Sequence, residues 1–254
     1  MSTNSIWDTG ILLGDDSFDY VEFVVNSWRE WISKAMIEVD KIEVKTIKLL
    51  TYFSIIEMMA QEHYNFPTKN LQGMFTRFGL EFQNKYDFLE LTDPITLYYR
   101  VEEAVYPAVD LSDLEDGSVY YPHNESIRDM AEKLKVVITE EKGEEYADKK
   151  VKEHRYVDLL YRMRCRLSHE FSAHNIVSRK DEQEPYYINC YRQYATTTGI
   201  VSDEVWQLLF PSIFIKELCL NCFENYLEYC LQNNIPPNRN NGMDRFCELS
   251  WYNR

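Results

Sequence analysis

The chain has 254 residues, 45% of them hydrophobic and 15% aromatic, and a formal net charge of −15. That length fits one large domain or two small ones, and the charge excludes a surface that coats nucleic acid generally, because neutralising phosphates takes Lys and Arg. No run of about 18 apolar residues occurs, so no membrane span is expected, and MSTNSIWDTG lacks the basic and apolar regions of a signal peptide.

With no export signal in view, the six cysteines (Cys165, Cys190, Cys219, Cys222, Cys230 and Cys247) are expected as reduced thiols in a cytoplasm. Eight Gly and eight Pro are few for this length and favour long helices over tight turns. Residues 1–16 read as an irregular leader. Asp16 or Ser17 can cap a helix running to about Val39, in which Val21, Val24, Val25, Trp28, Ile32 and Met36 keep i, i+3, i+4 spacing. A second helix is expected over about residues 41–64, stopped by Pro67. A third is expected over about 69–91, broken near Gly79. Asp93-Pro94 opens a short helix, and residues 110–126, rich in acids, Gly and Pro, read as a loop.

Further on, a helix over 125–137 leads into a charged segment, 139–150. A helix over about 149–167 carries the most informative stretch of the chain. Residues 172–185 read as a loop, residues 186–194 as a short β-hairpin, and residues 203–232 as a long helix kinked or restarted at Pro211. A turn-like tail fills 233–254. The expected fold is all-α, with six to eight helices in a single domain over 17–232 that carries insertions.

The informative stretch is YRMRCRLSHEF, Tyr161 to Phe171. At about 100° per helical residue, Val157, Leu160, Tyr161, Leu167, Ser168 and Phe171 gather on one side. Arg164 falls in the middle of that stripe, where a core-facing helix carries Leu or Ile. A permanent charge there must be paired or bind an anion. His169 follows five positions later. Around them, residues 149–166 hold seven cations against two acids in a chain of opposite sign. That is either a solvated helix face or a small basic cleft selecting a short exposed strand.

Arg164-x4-His169, within LLYRMRCRLSHEF, resembles the motif of the HEPN superfamily (higher eukaryote and prokaryote nucleotide-binding domains). IEMMAQEHY, Ile56 to Tyr64, and FTRFGLEF, Phe75 to Phe82, look like the earlier helices of such domains. The resemblance spans roughly residues 20–232. It implies a HEPN-like helical bundle with peripheral helices, and a metal-independent endoribonuclease of defence or toxin systems. Such an enzyme cleaves single-stranded RNA, transfer RNA among the candidates, to 2′,3′-cyclic phosphate and 5′-hydroxyl ends. Arg164 would hold the scissile phosphate through paired hydrogen bonds, and His169 would move protons near neutral pH. Arg162 and Arg166 would contact flanking phosphates, and Tyr161 would stack on a base or pack in the core. No metal or other cofactor is expected.

On an ideal helix Arg164 and His169 point about 140° apart, so one copy is a poor pair. The resemblance implies that two domains share a composite site, hence a homodimer, with a regulatory protein or RNA as a further partner. One position departs from the pattern. Ribonuclease members often carry Asn, Asp or His straight after the motif arginine, where this chain has Cys165. Together with the −15 charge, that keeps open a non-catalytic HEPN-like module binding RNA, a nucleotide or a protein. An acidic mimic of nucleic acid is a weaker third reading.

Other motifs fall away on spacing. His169-Glu170…His174 reads HExxxH, one residue too long for the zinc-protease helix. Cys219 and Cys222 form CxxC within an apolar helix pattern, where thiols pack as small hydrophobes. Asp110, Asp113, Glu115 and Asp116 miss the calcium-loop spacing, and no glycine-rich phosphate loop occurs.

Overall fold

A computed structural model describes residues 19–64, 70–101, 111, 114, 118–170, 176–177, 183–196 and 199–237. Helix α1, Tyr20–Asp40, is capped by Asp19, whose carboxylate accepts from the Glu22 N–H at 3.0 Å. The cap expected at Asp16 or Ser17 lies outside the described residues. Val21, Val24, Val25, Ile32, Met36 and Val39 form its buried stripe. Helix α2, Lys45–Tyr64, starts later than its apolar pattern suggests, because Lys41 closes α1 through its N–H. It buries residues on more than one face and packs against α1, α3, α7 and α8.

Helix α3, Leu71–Phe82, is capped by Asn70 and runs unbroken through Gly79. The break expected there is absent for a packing reason: a Cβ on Gly79 would stand 3.3 Å from Val157 Cγ2, so the glycine lets α3 lie close to α7. A 3-10 turn, Asp87–Glu90, leads to the short helix α4, Pro94–Tyr98, capped by Asp93. Helix α5 is Glu125–Lys142 and α6 is Glu144–Glu153. Gly143, at φ +88°, joins them in a conformation that side chains resist. The segment expected only as charged is therefore largely helical. Helix α7, Tyr156–Glu170, starts several residues after its expected beginning. His154 and Arg155 leave the helical path there, with Arg155 bridging Thr92.

The chain is mostly helical, with eight α-helices among the described residues, but its β part exceeds the short hairpin expected. Strand β2, Tyr186–Thr196, pairs antiparallel with β3, Gly199–Pro211, from Tyr186↔Leu209 to Thr196↔Gly199. The two-residue β1, Ile176–Val177, pairs in parallel with the end of β3. Residues 203–211, expected as helix, are thus strand. Trp206, Leu208, Leu209 and Phe210 are all buried, so both faces are apolar and the period-2 alternation that marks a strand is lost. Pro211 then caps a restart, and α8 runs Ser212–Gln232. Helices α2 and α8 form the centre of the core, where Tyr226 packs edge to face with Phe78 and Phe82 of α3.

Candidate functional site

Helix α7 packs against α3 and α2. Tyr156, Val157, Leu160, Met163 and Leu167 are buried on that side, and Arg164 lies among them as the apolar stripe requires. Its charge is met across the α2–α7 interface. Nη2 donates to Glu57 Oε2 at 2.5 Å, with 22% of the arginine side chain and 9% of the glutamate side chain exposed. Burial pushes the Glu57 carboxyl up, against the pull of Arg164. Burial also opposes the guanidinium charge, but Glu57 outweighs it and raises the arginine's pKa. Glu57 Oε1 is buried without a hydrogen-bond partner among the described residues.

Tyr161 sits beside this pair, half-buried, its ring 5.5 Å from that of Phe75. Burial raises its pKa, and Cys165 adds to the shift. Tyr161 thus packs against the core while staying partly exposed. Cys165 is partly exposed. The Arg164 carbonyl accepts from Ser168 Oγ at 3.0 Å.

His169 lies on the last turn of α7 and is exposed. On the helix it falls with Arg162 and Arg166 inside a sector of about 60°, well away from Arg164. Arg162 is half-buried and Arg166 exposed. Within one copy, then, the structure groups His169 with Arg162 and Arg166 and sends Arg164 into the interface with Glu57. His174 and Phe171 lie outside the described residues.

Glu57 is not foreseen from the sequence. The available signal is its place between Ile56 and Met58-Met59 in an apolar stripe, where an acid needs a cation. Nor is Asp158, buried in the first turn of α7. It accepts from Arg155 Nε at 2.8 Å, Thr76 Oγ1 at 3.3 Å and Gln72 Nε2 at 3.4 Å.

A third polar cluster anchors the hairpin. The buried Asp93 carboxylate accepts from Tyr187 Oη at 2.8 Å, and Tyr187 Oη meets Tyr156 Oη in a short contact. Burial pushes the Asp93 carboxyl up, against its hydrogen bonds.

Comparison of the chain with protein-family models, curated proteins and solved structures finds no match. The likeness to HEPN domains therefore rests on the sequence alone. Among the described residues no cluster of His, Cys, Asp and Glu is arranged to hold a metal ion. Cys219 and Cys222 are fully buried in α8, and burial pushes the Cys222 thiol up to about 12. No described helix is long and apolar enough to cross a membrane.

Proposed function

We propose that the chain is a homodimeric, metal-independent endoribonuclease of HEPN type acting on single-stranded RNA. The observation that carries the proposal is the placing of Arg164. A guanidinium on a core-facing stripe is fixed by Glu57, yet a fifth of its side chain stays exposed on the helix that also presents His169. A carboxylate that holds one edge of the guanidinium sets its orientation and leaves other N–H groups for a phosphate.

In the proposed reaction a histidine takes the ribose 2′-hydroxyl proton. The 2′-oxygen attacks phosphorus, and the bond to the 5′-oxygen breaks as a second histidine supplies that oxygen's proton. One copy has a single motif histidine, so the second comes from the partner copy. Arg164 would neutralise charge on the phosphate oxygens.

A second reading has its own support. The Glu57 carboxylate already answers the Arg164 charge, and Cys165 follows where ribonuclease members carry a polar residue. On that reading the pair is structural and the chain is a non-catalytic module that binds RNA, a nucleotide or a protein. Incubation of purified protein with a labelled RNA pool in EDTA separates the two. The nuclease cleaves there, leaves cyclic-phosphate ends and loses about 10²–10⁴ in rate on His169→Ala. Intact RNA with the wild type, or wild-type turnover by a folded His169→Ala protein, rejects it.

A further inference from the structure

A cleft of about 660 Å³ opens between α3 and the junction of α6 with α7, apart from Arg164 and His169. Its walls include Arg77 from α3, Lys152 from α6 and Arg155 from the start of α7. The acids of this cleft are largely engaged. Asp158 is held by Arg155, Thr76 and Gln72. Glu81 accepts from Tyr64 Oη at 2.5 Å and lies 3.5 Å from His63 Nε2 and 3.6 Å from Arg77 Nε. Glu90 remains on the rim. Arg155 uses Nε on Asp158, and no partner takes its Nη groups among the described residues. The Lys152 side chain is exposed and also without an acid partner there. Arg77 rests over the Tyr64 ring, 4.7 Å from its centre.

From Arg155 in the cleft wall the chain passes directly into α7. Along α7, Arg162, Arg166 and His169 follow one another on a single helical face over about 10 Å. Neither Arg162 nor Arg166 makes an ion pair among the described residues, though Arg162 is close enough to Glu153 to help lower its carboxyl pKa, against burial and after the Lys150 contact. In a chain of net charge −15, such a stripe gives one favourable path for a polyanion, while acids elsewhere repel it. Hydrogen-bonding side chains in the cleft, Gln72 and Asn70 among them, suit an unpaired base.

We infer that the α3–α7 cleft is an anchoring subsite for single-stranded RNA, holding the strand remote from His169 while Arg162 and Arg166 carry the backbone between. The inference rests on the proposed RNA-directed function and adds the path of the strand. It implies that affinity grows with strand length until the cleft is filled.

The test is fluorescence anisotropy on full-length His169→Ala protein, with and without Arg77→Glu and Lys152→Glu together. The probes are a labelled dinucleotide and an unstructured RNA of about ten nucleotides. Both changed side chains are exposed, and circular dichroism checks the fold. The longer RNA is expected to lose on the order of tenfold in affinity, and the slope of log K against log salt to fall by about one to two. The ratio of long to short affinity should collapse. An unchanged ratio, or no binding of RNA by the parent protein, overturns the subsite. Because the readout is binding by an inactive protein, absence of cleavage in the wild type rejects the nuclease without deciding the anchor. An unaltered ratio rejects the anchor and leaves the nuclease standing.

Discussion

At the scale of single residues, the Glu57–Arg164 pair decides between catalysis and scaffolding. Removing one member of a buried pair strands the other charge, whereas removing both often costs little. Because Arg164 keeps 22% exposure, the expected penalty for Arg164→Met is about 1–3 kcal/mol, below the range for fully buried pairs. Combining Glu57→Leu with Arg164→Met should recover much of it in a denaturant titration. Full additivity of the two losses would show that the groups are not coupled. Arg164→Lys keeps the charge and should retain most of the stability, yet it lacks the planar fork and should not restore cleavage. Full activity with lysine would reduce the role of Arg164 to a point charge. A second residue-scale prediction concerns His154, 3% exposed, with Nδ1 2.8 Å from the Lys150 carbonyl and no partner at Nε2 among the described residues. Burial lowers its pKa. The folded chain therefore binds fewer protons here than the unfolded one. Its contribution to stability is complete above about pH 6.5 and is lost as pH falls toward the depressed folded value. Burial lowers the pKa of His63 in the same sense, while the raised carboxyls of Asp93 and Glu57 act in the opposite one. Only the difference between wild type and His154→Leu isolates the effect. Melting temperatures across this range should fall less steeply for the variant, and equal slopes would refute the assignment.

At the scale of elements, the β2–β3 hairpin depends on few anchors. Its base is tied to the helical body by Tyr187, whose hydroxyl joins Asp93 of the α4 cap to Tyr156 of α7, and by the Tyr120–Tyr187 backbone bridge. Further out, Tyr191 is 73% exposed. A two-stranded hairpin is marginal in water unless a face of it packs on the rest of the fold. Tyr187→Phe removes the donor to a fully buried carboxylate and should cost about 1–3 kcal/mol. Amide exchange in β2 should accelerate more than in α2 or α8. Uniform acceleration would mean that the hairpin and the helices open together. The same elements show what a sequence can reveal. Helix α1 follows from apolar spacing, because it faces the core on a definite stripe, whereas α2 is buried on more than one face and is legible from its long apolar run. The strand at 203–211 does not, because burial on both faces removes the alternation that marks strands. Gly79 misleads for a related reason: its small size serves the approach of α7, a tertiary fact with no local sign. The place of Arg164 in an interface is legible from helical angle, but its partner Glu57 is 107 positions away and no local pattern joins them.

At the scale of the whole molecule, the motif is only half of a two-proton reaction. The basic face of α7 and the interface holding Arg164 point different ways from one helix, so a single copy does not present His169 and Arg164 together. The proposed enzyme therefore has to be a dimer that brings two copies of α7 to a shared site. Light scattering should give twice the mass of 30.4 kDa. Mass alone leaves the site untested, and mixing supplies what it lacks. His169→Ala chains exchanged in excess into active protein should depress turnover below simple dilution, because mixed dimers carry one histidine where two protons must move. Because both histidines are needed, Arg164→Ala and His169→Ala chains, each inactive alone, should stay inactive when mixed. Restored activity in the mixture would show that one histidine suffices and would refute the two-histidine site. A strictly monomeric chain that cleaves RNA would refute the composite site and move the second proton transfer to another group of the same chain. His174 would be the first to test, since His154 is buried.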